Sequence, residues 1–216
     1  MNDLIITSGM VLGSFDHLEY DKRLVVLTSD IGKITVFARG VRRQNSRYIG
    51  KTDPFAFGEF RLFAGKSAYN LSGADISNYF EGIRLDMERM CYASYFADIA
   101  DYSVRENMDG RAVLLLLYRS LQALDAEGIE NALVRAVYEL KMVMENGVYP
   151  GVPDRRLLSG TVSAMKHIES ADIRSLYSFK VSDEVLDELV RIADEYRQRY
   201  LSGNFRSLEV MKELGI

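Results

Sequence analysis

The side chains best placed to do chemistry in this sequence are cations. Between Asp30 and Asp53 there is no acid, yet Lys33, Arg39, Arg42, Arg43, Arg47 and Lys51 all fall there, with Lys22 and Arg23 as a flank. Arginine offers a planar fork to phosphate oxygens and lysine a point charge. Asn45 and Ser46 add neutral hydrogen bonds, and Tyr48 adds a ring on which a base could stack. The segment therefore has the chemistry of a polyanion-binding face. Its competing reading is a solvated hairpin loop whose charge serves solubility.

Covalent catalysis has much less to work with. The two histidines, His17 and His167, lie far apart in the sequence, and no Gly-x-Ser-x-Gly elbow, phosphate loop or His-Glu-x-x-His pair occurs. Cys91 is the single cysteine, so neither an intramolecular disulfide nor a cysteine-based zinc site can form. It is expected to be a core thiol. Asp183, Glu184, Asp187 and Glu188 cluster on one helical stretch, but pairing of Asp187 with Arg191 and of Glu195 with Arg199 explains them as a solvated face. No enzyme activity, cofactor or metal is expected.

These cations need elements to position them. Up to about residue 80, glycines separate short stretches rich in Val, Ile, Thr, Tyr and Phe, which predicts strands near 4–13, 22–29, 33–41, 54–63 and 67–74. In the third, Lys33 and Arg39 share one face while Ile34 and Val36 share the other. In the fourth, the apolar alternation changes register around Gly58, which predicts a bulge. Five short bent strands suit a small closed barrel of the OB type, with an SH3-like barrel as the rival.

After Tyr79 the period becomes helical, with Met87, Met90, Cys91, Tyr95 and Ile99 on one stripe. That helix is expected over 84–102, and others near 111–126, 130–146, 161–169, 183–201 and 205–214. Ser182 is expected to cap the 183–201 helix, with Leu186, Leu189, Ala193, Tyr196 and Tyr200 facing inward and Gly203 following it. The expected class is α+β: an OB-fold over 1–80, then a helical domain over 81–216.

Charge divides along the same line. The net charge is −4, yet residues 1–80 carry +2 and residues 81–216 carry −6. The barrel is thus the better DNA surface and the helical part the better scaffold and partner-binding domain. No apolar run approaches the roughly 20 residues of a membrane span. Asp3 and the short apolar stretch after it argue against an export signal. A cytoplasmic protein is expected.

The order Gly-Lys-Ile-x-x-Phe-Ala-Arg-Gly-x-Arg-Arg from Gly32 to Arg43, followed by Ser46-Arg47-Tyr48, resembles the signature of the bacterial RecO family of repair and recombination mediators. The resemblance continues in order through Asp21–Thr28, Leu85–Arg89, Tyr92–Tyr95, Tyr138–Leu140, Gly147–Pro150 and Phe205–Leu208. It implies an OB-fold followed by a helical domain. It further implies binding of single- and double-stranded DNA, annealing of complementary strands, and cooperation with RecR in placing RecA on DNA coated by single-strand-binding protein, and hence association with the nucleoid. Many relatives carry two Cys-x-x-Cys pairs holding zinc after the Tyr-x-Pro loop, and this chain has none there.

The resemblance also implies that the helical domain takes the acidic, apolar C-terminal tail of single-strand-binding protein. Arg119, Arg135 and Lys141 are candidates for that contact by charge and helix position. Two other readings compete with a DNA mediator. One is a barrel-plus-helix adaptor that binds only protein, and the other is an RNA-binding factor using the same basic face.

Overall fold

A computed structural model describes residues 4–216; Asp3, and with it the reading of the chain start, lies outside the described residues. Five strands form a closed barrel in the order β1-β2-β3-β5-β4: β1 (Leu4–His17), β2 (Asp21–Thr28), β3 (Lys33–Ala38), β4 (Phe57–Ala64) and β5 (Tyr69–Asn78). β1 pairs with both β2 and β4, which closes the sheet, and the one parallel contact joins β3 to β5. This is the OB-fold. Closure gives every strand a neighbour on each side, although β3 and β5 meet only at Val36–Phe37 and Tyr69–Asn70.

Period-two alternation builds the barrel core. Val11, Leu24, Val26, Ile34, Val36, Ala38, Phe60 and Leu62 turn inward, leaving Lys33, Thr35 and Phe37 on the outside of β3. The expected bulge is present, with a register shift between Phe57 and Gly58 against β5, and others fall at Arg61/Leu62 and Val11/Gly13. Such irregularities let five short strands curl tightly enough to close.

The chain folds as two compact units, and the first is not contiguous: it takes in the residues up to Phe80 and also Ala100–Leu114. That later stretch is tied in by Asn107 N–H to the Ile31 carbonyl at 3.0 Å and Gly110 N–H to the Ser29 carbonyl at 3.1 Å. Arg111 pairs with Asp30 at 2.7 Å. Gly32 sits in this seam with φ +71°, bridged to Glu106, and a β-carbon there would collide with the Arg105 carbonyl. Gly32→Ala should therefore cost about 2–3 kcal/mol, through strain at positive φ and overpacking together. A urea melt of the variant against the parent chain measures it.

The second unit comprises Glu81–Ile99 and Leu115–Ile216. The helices are α1 (Glu81–Arg84), α2 (Met87–Ser103), α3 (Arg111–Asp125), α4 (Asn131–Glu145), α5 (Ser159–Ser170), α6 (Asp183–Tyr200) and α7 (Arg206–Leu214). In α2 the single apolar stripe expected from spacing gives way to burial on nearly all sides. Cys91, Tyr92, Ala93, Tyr95, Phe96, Ala97 and Ile99 are buried, whereas Met87 is 72% exposed. A helix apolar all round belongs in the middle of its unit. Phe96 stacks on Tyr138 of α4 at 4.3 Å between ring centroids, and the Tyr138 hydroxyl donates to the Phe96 carbonyl at 2.8 Å.

In α6 the expected inward face is observed, with Leu186, Leu189, Ala193 and Tyr196 buried and Tyr200 half-buried. Two details differ. Ser182 has the extended backbone of an N-cap, but its hydroxyl makes no capping bond, and the helix ends at Leu201 without a left-handed glycine. The surface pairing also differs. Glu195 binds Arg155 at 2.9 Å instead of Arg199, which lies over the Tyr200 ring, and Arg191 donates to the Asp187 carbonyl rather than to its carboxylate.

Candidate nucleic-acid interface

The basic segment leaves β3 at Ala38 and turns back over the β1–β2 connection. Gly40, at φ +64°, makes the turn, and its N–H donates to an Asp21 carboxylate oxygen at 2.8 Å. The Arg42 N–H then bonds the Tyr20 carbonyl at 3.0 Å. This loop is held by main-chain bonds, which leaves its guanidinium groups exposed.

The cations share a sequence window but not an environment. Lys22 pairs with Asp53 at 3.1 Å, and Arg42 pairs with Asp16 at the same distance. Lys33 is held by both the carbonyl and the carboxylate of Asp101, at 2.5 and 3.1 Å, so it secures the 100–114 stretch. Lys51 donates to the Ala74 carbonyl at 2.8 Å. The acids missing from the window arrive from other segments of the chain.

Arg23, Arg39, Arg43 and Arg47 remain without a carboxylate partner among the described residues. Arg23 lies over the Phe15 ring at 4.7 Å and Arg43 over Tyr20 at 5.6 Å. Arg47 crosses the Tyr48 ring and donates to its hydroxyl and to the Ser72 carbonyl, while staying exposed. Arg39 is exposed, with no hydrogen bond or ion pair among the described residues. Arg23, Arg39 and Arg43, carboxylate-free and weakly hydrated, can engage phosphate with little prior bond breaking, whereas Arg47 would share its guanidinium with Tyr48 and Ser72.

Tyr48 differs from the expectation of a stacking platform. It is 7% exposed within the barrel core, its hydroxyl donates to the Ser72 carbonyl at 2.9 Å, and Arg47 covers it. Tyr48→Phe should therefore lower stability by about 1 kcal/mol, the net worth of one neutral hydrogen bond. The same variant should leave oligonucleotide affinity within twofold, and thermal melts with fluorescence anisotropy read both.

Exposed rings do occur, at positions the sequence reading did not select. Strand register places Phe15, Arg23, Phe37, Asn70 and Phe63 side by side in one row across β1, β2, β3, β5 and β4. Phe15 is 48% and Phe63 37% exposed. The signal for Phe37 was available: it has the same parity as Lys33 and Arg39, already assigned to the outer face. Phe15 and Phe63 needed the register, which only the paired strands supply.

The helical candidates fare differently from one another. Arg135 is largely buried, bound to Glu139 at 3.0 Å and to Asp194 at 3.5 Å, and is committed to the core. Arg119 is half-buried and bonds Gln122 at 2.9 Å. Lys141 reaches the Glu169 carbonyl at 3.4 Å and keeps a partly open face. The histidines are likewise placed structurally, His17 against Phe37 and His167 against Phe179. Burial pushes the Cys91 thiol above its ordinary pKa, which suits an inert core position. Among the described residues no three His, Cys, Asp or Glu side chains come together in a way that could hold a metal. No helix among them is long and apolar enough to cross a membrane.

The fold is a closed OB barrel followed by helices, and its likeness to known proteins places it in a class of DNA-repair proteins. Residues 1–80 match the family model described as recombination protein O N terminal, and residues 84–155 and 153–209 match recombination protein O C terminal. The chain belongs to the RecO family. It is 27% identical to DNA repair protein RecO of Acetivibrio thermocellus, over 96% of each chain. It is 25% identical to the RecO of Alkaliphilus metalliredigens, over 98% of this chain and 100% of that one, and 23% identical to that of Clostridium novyi, over 96% and 93%. The two C-terminal matches meet at 153–155, just after Tyr149-Pro150. The Acetivibrio alignment runs to 241 positions against 216 residues here, so that relative carries residues this chain lacks.

Proposed function

We propose that this protein is a non-catalytic recombination mediator that binds single- and double-stranded DNA through phosphates and anneals complementary strands. With RecR it helps to place RecA on DNA coated by single-strand-binding protein, and it acts in the cytoplasm at the nucleoid. The observation that carries this reading is the set of carboxylate-free guanidiniums, Arg23, Arg39, Arg43 and Arg47, on the outside of the barrel, with Arg42 beside them. Annealing requires two polyanions to approach, and a face that neutralises phosphates on both lowers their repulsion without reading sequence. A strand-annealing assay with complementary oligonucleotides, bare and coated with single-strand-binding protein, tests it. Acceleration is expected in both cases, and none in either would refute it.

The helical unit is proposed to serve partners. An acidic, apolar tail needs an apolar slot beside a cation. A groove of about 400 Å³ lined by Ala164, His167, Phe179, Lys180, Val181 and Val185 supports that use better than Arg135 does. A tail peptide should bind the parent chain and lose affinity for Lys180→Glu.

A further inference from the structure

We propose that the depression between Phe37 and Phe63 on the outer barrel is a seat for one unpaired nucleobase, which gives the protein a preference for single strands. The inference rests on the DNA-binding reading above and assigns a different contact from the phosphate-binding arginines. The depression measures about 440 Å³ and is lined by Phe37, Arg39, Phe63, Asn70 and Leu71. Asn70 is the direct neighbour of Phe37 on β3 and of Phe63 on β4, so its carboxamide stands between the two rings. Two strand spacings, roughly 9–10 Å, separate the ring-bearing positions. Phe63 makes no ring contact, and neither Asn70 nor Arg39 has a side-chain partner, among the described residues.

Each wall matches one part of a nucleotide. Aromatic rings offer a stacking surface that accepts any base. A free carboxamide presents both donors and an acceptor to a base edge. The guanidinium of Arg39, at the rim, is suited to the adjoining phosphate. A purely apolar peptide would leave Asn70 and Arg39 without partners on docking, a cost that a nucleotide does not incur. A duplex base is already stacked and paired and cannot enter. The seat therefore discriminates by strandedness and indifferently to sequence, and a base must leave it when its complement pairs.

The chain contains no tryptophan, so Phe63→Trp places a single indole reporter in the depression. Its emission is read during titration with a thymidine oligonucleotide, with an abasic strand of equal length, with a blunt duplex and with the acidic tail peptide, while anisotropy of the labelled strand reports binding independently. Strong quenching by the base-bearing strand and none by the abasic strand or duplex is expected. In parallel, Phe63→Leu, which keeps an apolar side chain, should weaken single-strand binding roughly tenfold and leave duplex binding and the salt slope unchanged. Binding without quenching, equal quenching by the abasic strand, or equal loss on single strand and duplex would overturn the proposal. Quenching by the tail peptide alone would assign the depression to a protein partner and overturn it as well. No anisotropy rise with any strand, even for the parent chain, would refute the DNA-binding reading along with it.

Discussion

Replacing Arg23, Arg39 and Arg43 together with glutamine should weaken binding to unrelated single-stranded oligonucleotides alike, by on the order of tenfold to a hundredfold at low salt. Arg39 and Arg43 are exposed and Arg23 is half-buried over Phe15, and each contributes up to about 1 kcal/mol. The plot of log affinity against log salt should flatten by roughly 2, since each lost phosphate contact removes about 0.7 on single strands. The control is Lys33→Ala. Lys33 carries the same charge in the same window, but Asp101 already neutralises it. Its loss should lower stability and leave the slope unchanged. A triple variant that folds and keeps the parent slope would remove these arginines from the interface.

A second large effect is expected far from DNA. Glu139 is 1% exposed on α4, where it accepts from the Tyr95 hydroxyl at 2.5 Å and from Arg135 at 3.0 Å, with Arg197 at 3.9 Å. Burial raises its pKa, while the two arginines and the Tyr95 hydroxyl oppose that rise. Arg135→Leu removes the nearer cation and leaves the carboxylate with only the Tyr95 hydroxyl and the more distant Arg197, which should cost about 3 kcal/mol at neutral pH.

The sign with pH follows from the direction of the shift. A carboxyl group whose folded pKa lies above its unfolded value binds protons more tightly in the folded state, so ionising it destabilises the fold as pH rises. Removing Arg135 enlarges that difference. The penalty of Arg135→Leu should therefore shrink as pH falls toward the ordinary carboxylate range. Adding Glu139→Gln to that background should recover part of the loss at neutral pH. Urea melts at pH 7.5 and pH 5 measure both, and a penalty equal at the two values would mean that lost packing, not an unpaired charge, is responsible.

What could be read from the sequence, and what could not, follows from the range of the interactions involved. Strand alternation, the bulge at Gly58 and the helices on either side of Tyr149-Pro150-Gly151 are set by neighbours a few residues apart, and the chain order displays them. The inward face of α6 was legible for the same reason. Met87 was misplaced because it is the first residue of α2, before the part of the helix that is buried on nearly all sides. The acid-free window was misleading in a related way: Asp16 and Asp101 close on its Arg42 and Lys33 from outside it, and Asp53 at its edge takes the flanking Lys22. Tyr48 looked like a surface ring beside arginines, and only the fold shows that its hydroxyl is used by Ser72. The row from Phe15 to Phe63 exists only once five strands are in register.

The discontinuity of the first unit has a consequence for the order of events during synthesis. When residue 80 has just left the ribosome, the barrel strands are all present, yet Ile31, Ser29 and Lys33 still await Asn107, Gly110 and Asp101. The barrel cannot reach its final stability until Leu114 has emerged, by which time α2 has been made as well. The N-terminal unit is thus begun first but finished only after the helical unit has been started, and a nascent chain stalled between these points would expose an OB barrel that is closed but not yet secured.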